Sequence, residues 1–213
     1  MYHKKFLILL FFLSGALFAQ NPLPSVANIM DQTVKKYYAL SAFSLDFTMN
    51  TEENGKIIYS FEGNLLVKKD KYYLTFDDQI MANDGVIMWN YQKNTNEASI
   101  FEAEDDEFML FHPLKMLNGW EKEYNAKFIR EEEIQKNKMN IVDLTPKQNS
   151  QFYKIRLFID KKTSYIQQIM MYEIDGTTLT YIVNKFTPDV VVADSKFTFN
   201  KNNYPKVMVN DMR

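Results

Sequence analysis

Phe61-Glu62-Gly63-Asn64-Leu65-Leu66-Val67-Lys68-Lys69-Asp70-Lys71-Tyr72-Tyr73-Leu74-Thr75-Phe76 reads as a β-hairpin, and it decides the fold class. Phe61, Gly63, Leu65 and Val67 recur at a period of two, the spacing at which strand side chains share a face. Glu62, Asn64 and Lys68 take the other face. A short charged turn follows, and Tyr72 to Phe76 forms the returning aromatic strand. One apolar sheet face therefore ends beside a lysine-rich reversal.

The same period continues on the N-terminal side. Phe43, Leu45, Phe47 and Met49 alternate with Ser44, Asp46, Thr48 and Asn50, and Asn54-Gly55 supplies two residues that tolerate the positive φ of a tight hairpin turn. Before them, Val26, Ile29, Met30, Thr33, Tyr37 and Leu40 make a helical stripe, with Ser25 as the expected N-cap. On the C-terminal side, Asp84-Gly85 leads into Val86 to Tyr91, where Ile87, Trp89 and Tyr91 share a face, and Glu97 to Phe101 follows as a short strand. The strand pattern is interrupted by Glu104 to Glu107 and by the apolar run Phe108 to Leu117, read as a second helix broken at Pro113 and ended near Gly119. Strands then resume at roughly ten-residue spacing, near 124–133, 138–144, 152–160, 164–174 and 177–186. Val207-Met208-Val209 is a candidate last edge. The expected fold is mainly β with α, an open, unclosed antiparallel β-barrel of about eleven strands with a helical lid. A sheet with one apolar face must cover it, and two short helices leave room for an apolar cavity.

The N-terminus, Met1-Tyr2-His3-Lys4-Lys5 followed by apolar Phe6 to Phe18 and Ala19-Gln20, has the form of a secretory leader cut after Ala19. The run is shorter than the ~20 apolar residues of a membrane span. Residues 1–19 are thus expected as a signal peptide, and 20–213 as one domain. The chain has no cysteine, so a core must supply the stability, and 46% hydrophobic residues with 17 Phe, 13 Tyr and 12 Met provide for one. A formal net charge of −2 without a clustered basic face speaks against nucleic-acid binding. Beyond the leader His112 is the one histidine, and it sits in an apolar run without a paired carboxylate. Glu104 to Glu107 lacks the spacing of a calcium loop, and its charge suits a helix N-terminus. No phosphate-binding or dinucleotide glycine pattern is present. Catalytic residues, metal ligands and cofactors are therefore expected to be none. The excess of Met and aromatic residues suits an apolar surface that repacks around variable ligands.

These elements together resemble the outer-membrane lipoprotein carrier protein family, LolA. The likeness runs through Phe43-Ser44-Leu45-Asp46-Phe47, Phe61 to Lys69, Asn83-Asp84-Gly85 ahead of Trp89 and Tyr91, Phe108-Met109-Leu110, Trp120, Asp143 to Lys147, Lys196-Phe197-Thr198-Phe199 and Val207 to Arg213. The resemblance implies a periplasmic chaperone of a Gram-negative cell, a monomer. Such a carrier takes triacylated lipoproteins from an inner-membrane ABC transporter and passes them to an outer-membrane acceptor. On this reading Phe47, Met49, Phe61, Leu65, Tyr72, Leu74, Trp89, Phe108, Met109 and Phe111 line the acyl-chain cavity. Where the family has a lid-latching arginine followed by proline, this chain has Lys69 and Asp70, so Lys69 is the expected latch, with Lys68 or Lys71 sharing the role. Lysine keeps the charge and loses the planar multi-donor fork. Two other classes compete: a periplasmic sensor or scaffold binding a protein partner on a related barrel, and an enzyme acting on lipid or glycan through His112 or an acidic pair.

Overall fold

A computed structural model describes residues 25–103 and 116–213. The expected leader, the acidic run Glu104–Glu107 and the segment from Phe108 to Lys115 lie outside these residues. Helix α1 spans Val26–Tyr38 and buries Ile29, Met30, Thr33 and Tyr37. The Ser25 side chain makes no capping hydrogen bond, contrary to expectation; its carbonyl instead accepts from Ile29 N at 3.1 Å. Lys35 and Lys36 occupy the last turn, where cations favour the helix dipole.

Twelve strands follow among the described residues, against the about eleven that the sequence pattern suggested. They are β1 Phe43–Glu53, β2 Lys56–Lys68, β3 Lys71–Phe76, β4 Gln79–Asn83, β5 Ile87–Gln92, β6 Glu97–Glu102, β7 Tyr124–Ile134, β8 Asn137–Pro146, β9 Phe152–Asp160, β10 Ile166–Glu173, β11 Thr178–Pro188 and β12 Met208–Asp211. A single helical turn, α2 Trp120–Glu123, precedes β7. All strands belong to one sheet, in the order β12-β6-β5-β4-β3-β2-β1-β11-β10-β9-β8-β7. Two antiparallel meanders, β1 to β6 and β7 to β11, are joined where β1 pairs with β11 from Phe43↔Pro188 to Glu52↔Thr178. The edge strands β12 and β7 do not pair with one another, so the barrel is open. Among the described strands β12 alone pairs in parallel, with β6.

The turns follow from the residues that make them. Asn54 and Gly55 take φ of 50° and 73°, as a two-residue hairpin turn requires. Lys69 takes φ of 56° in the tight β2–β3 reversal, where Lys68 pairs with Lys71. Register shifts at Asp46/Phe47 against β11 and at Thr51/Glu52 against β2 add the local bend and twist that curl a sheet.

After Pro188 the chain forms a strap of irregular structure over the outer face of β2 to β6, and then β12 closes the β6 edge. Lys68 Nζ donates to Asp194 Oδ1 at 2.6 Å and to Val192 O at 3.1 Å, and Lys71 Nζ reaches Asp194 Oδ2 at 3.1 Å. Lys196 Nζ lies 3.8 Å from the centre of the Tyr73 ring. Among the described residues no helix is long and apolar enough to cross a membrane.

Candidate acyl-chain-binding face

The inner face is set by the strand register. Phe43, Leu45, Phe47 and Met49 stand opposite Val67, Leu65, Gly63 and Phe61, and these in turn adjoin Tyr72, Leu74 and Phe76 of β3. With Ile155, Leu157 and Ile159 of β9, Ile169 and Met171 of β10 and Tyr181 of β11, they form one contiguous core under α1. Six buried methionines belong to it: Met30, Met49, Met81, Met88, Met116 and Met171. Thioether chains of this kind fill irregular space and repack readily. The face is not uniformly apolar. Met81 pairs with Asn90, and Asn90 with Ser99, so β5 and β6 turn polar groups inward.

Aromatic packing holds the centre. Phe47 stacks on Tyr181 at 4.3 Å and meets Phe61 edge-on at 6.1 Å. Gly63 faces the Phe47 ring so closely that a Cβ there would lie 2.4 Å from Phe47 Cζ. At the end of α1, Tyr37 packs edge-on against Phe43, Tyr165 and Phe186, and its hydroxyl accepts from Ile166 N at 3.3 Å. Burial pushes the phenols of Tyr37 and Tyr181 well above the ordinary tyrosine range, so both stay neutral.

The structure brings Phe47, Met49, Phe61, Leu65, Tyr72 and Leu74 together on this face. Phe61 is half-buried; Phe47, Leu65, Tyr72 and Leu74 are 0–1% exposed, so side chains close over the face. Trp89 must be corrected. It is buried on the opposite, outer face, where its Nε1 donates to Phe197 O at 3.2 Å and its ring packs with Tyr73, Phe199 and Tyr204. Phe108, Met109, Phe111 and His112 lie outside the described residues. Lys69 is an exposed turn residue; its neighbours Lys68 and Lys71 grip the C-terminal strap. The helical stripe already placed Met30 inward, as the structure has it, but the sequence reading missed the inward contributions of Met81 and Met88, whose alternation with the buried outer residues Ala82 and Trp89 hides which face they take.

A concavity of about 560 Å³ lies on the outer face, lined among others by Asp46, Glu62, Asn64, Thr75, Lys93 and Asn184. Asn64 Nδ2 donates to Asp46 Oδ1 at 2.7 Å there. This polar groove does not suit an acyl chain.

The chain is similar to "Uncharacterized protein MJ0687" of Methanocaldococcus jannaschii, 26% identical over 210 residues, a match covering 93% of this chain and 58% of that protein. The chain thus spans less than two thirds of that relative's length. Among solved structures it is similar to an uncharacterized conserved protein from Thermus thermophilus, with a TM-score of 0.61, 10% identity and coverage of 88% of this chain and 99% of that one. It is also similar to the LolA superfamily protein NE2245 from Nitrosomonas europaea, with a TM-score of 0.44, 10% identity and coverage of 83% and 98%. The unclosed antiparallel sheet curled about a helix is the expected open barrel. A family model described as "Uncharacterized protein" matches residues 67–190, more than half of the chain, and the chain belongs to that family.

Proposed function

We propose that the protein is a carrier of acyl chains in the cell envelope, a binder rather than an enzyme, which shields the chains of a lipidated protein against its inner sheet face. The observation that carries this reading is the continuous apolar core of the open sheet, with six methionines in it and helix α1 as its cover. The barrel is not sealed by strand pairing, so its interior can be entered by moving a cover and without breaking a sheet. Transfer of an acyl chain from water gains about 0.8 kcal/mol per CH₂. A chain of about fifteen methylenes brings roughly 12 kcal/mol, enough to displace packed side chains that regain other contacts. The sequence resemblance extends the proposal to lipoproteins received from an inner-membrane ABC transporter and delivered to an outer-membrane acceptor across the periplasm.

The test is native mass spectrometry of the full chain purified from an envelope fraction, together with uptake of an environment-sensitive acyl probe. Bound lipid or lipoprotein, and loss of probe uptake in Leu65→Asn with near-native circular dichroism, are the expected results. A chain that retains no lipid, takes up no probe and binds a non-lipidated protein would replace this reading with the scaffold class.

A further inference from the structure

One end of the sheet carries a lysine rim. The β7–β8 turn at Gln135–Lys136 and the β9–β10 turn at Lys161–Ser164 lie side by side, because β8 and β9 are neighbours. Lys161 N donates to Lys138 O at 2.8 Å and ties the two together. Between them lies a concavity of about 290 Å³ lined by Lys136, Asn137, Lys138, Asp160, Lys161 and Lys162.

Of the acids near it, Glu133 stands exposed across from Lys138 in the β7–β8 register, while Asp160 and Glu131 are already committed. Asp160 is 9% exposed, and its Oδ1 accepts from Lys162 N, Thr163 N and Thr163 Oγ1 within its own turn. Glu131 pairs with Lys161 at 2.5 Å. Lys136, Lys138 and Lys162 are exposed and have no ion-pair partner among the described residues. Tyr37 packs 5.4 Å from Tyr165, which places the exposed Lys35 and Lys36 of the last α1 turn at the same end. The turns at the other end of the strands carry exposed Glu53, Asp77, Asp78 and Asp175 against Lys56 and Lys93, while in the β2–β3 turn at the lysine end Asp70 stands against Lys69 and Lys71. A chain of formal net charge −2 thus separates its charge along the strand direction, and such a dipole orients a protein before contact.

We propose that this lysine-rimmed end docks on the anionic surface of a lipid bilayer, with Lys136, Lys138 and Lys162 seated among the lipid phosphates. The ammonium groups are compact point charges on flexible stems, suited to mobile headgroups more than to one fixed planar anion. The turn tips, Gln135-Lys136 and Lys161-Lys162, are polar, so the docking is peripheral and acts within about a Debye length of the surface, ~8 Å at physiological salt. Each lysine near such a surface contributes about fivefold in partitioning. The inference stands apart from the acyl-chain reading, because it concerns an outer rim and not the inner face.

The test is co-sedimentation of the full chain with vesicles of phosphatidylcholine alone or mixed with phosphatidylglycerol, at low and high salt. The parent is expected to sediment with the anionic vesicles only, and to be released by salt. The triple variant K136Q/K138Q/K162Q is expected to lose about a hundredfold in partitioning. K56Q/K93Q, changed at the opposite end, is expected to bind as the parent does. Near-ultraviolet circular dichroism and acyl-probe uptake verify that the triple variant is folded and loaded, so that failure here is distinct from failure of the carrier reading. Equal sedimentation of the triple variant and the parent, or no preference for anionic vesicles, overturns the proposal. So does saturation of these lysines by millimolar inorganic phosphate in a protein that binds no vesicle, which would mark a small-anion site.

Discussion

Replacing Gly63 with alanine sets two effects of opposite sign against each other. Gly63 lies inside β2 and has no positive φ, so an added methyl meets no backbone penalty. Glycine in a strand interior is less favourable than alanine by about 0.5–1 kcal/mol, and on that ground alone Gly63→Ala stabilises. The added Cβ, however, would lie 2.4 and 2.8 Å from Phe47 Cζ and Cε1 and 2.8 Å from Thr75 O. Carbon atoms prefer about 3.5–4.0 Å, so the ring must retreat by roughly an ångström. Phe47 has little room to do so, since it is 0% exposed and stacked on Tyr181. Thr75 O is backbone of the paired strand β3 and cannot rotate aside. Overpacking of this kind costs about 1–3 kcal/mol. The net expectation is a loss of about 1–2 kcal/mol, or roughly 3–6 °C in Tm for a chain of this size. Thermal unfolding followed by circular dichroism reads it. Phe47→Leu removes the obstructing ring, so the double variant is expected to recover at least about 1 kcal/mol relative to the sum of the single changes. A rise in Tm for Gly63→Ala, or strict additivity with Phe47→Leu, would refute the packing described at the centre of the sheet.

Three further outcomes follow from other contacts. Tyr37→Phe leaves the amide of Ile166 without its acceptor and is expected to lower stability by about 1–2 kcal/mol in urea unfolding. Trp89→Phe removes the bond to Phe197 O and is expected to cost about 1 kcal/mol while leaving acyl-probe uptake unchanged, since Trp89 faces outward. Lys68 and Lys71 hold the carboxyl of Asp194 below the ordinary aspartate value. A lowered carboxylate pKa gives stability that is present above the unfolded value and fades as pH falls through the folded one. Protection of the strap around Val192 against hydrogen exchange, taken relative to an unstructured peptide at the same pH, is therefore expected to fall on acidification below the ordinary aspartate range, and Asp194→Asn to show the lower protection already at neutral pH.

Much of the fold was legible because β1 and the second half of β2 bury one face strongly and alternate accordingly. β9 was bounded correctly at 152–160, and Asn54-Gly55 marked the β1–β2 turn. Trp89 was misplaced for a physical reason. β5 is covered on both sides, by the core at Met88 and by the strap at Trp89, and a strand buried twice carries no period that says which face is inward. The strap itself has no period, and Phe197-Thr198-Phe199 resembles a strand although its residues make a cover. The partner of Lys68 and Lys71 lies more than a hundred residues away, which local spacing cannot reveal. The lysine rim was equally hidden, because Lys136-Asn137-Lys138 and Lys161-Lys162 become one patch only through the β8–β9 pairing.

The order in which the sheet is completed bears on how the chain survives its own synthesis. The β1–β6 meander is built from successive hairpins and is finished once Glu102 has been made. Its two flanks, β1 on one side and β6 on the other, receive their partners from residues 178–211, which emerge well after it. For that interval a half-sheet with an apolar face offers two unpaired edges, the condition in which strands join the wrong neighbours. Misassembly is thus concentrated in a defined window of elongation, and a holding chaperone that protects this protein would have to engage it between the completion of β6 and the arrival of β12.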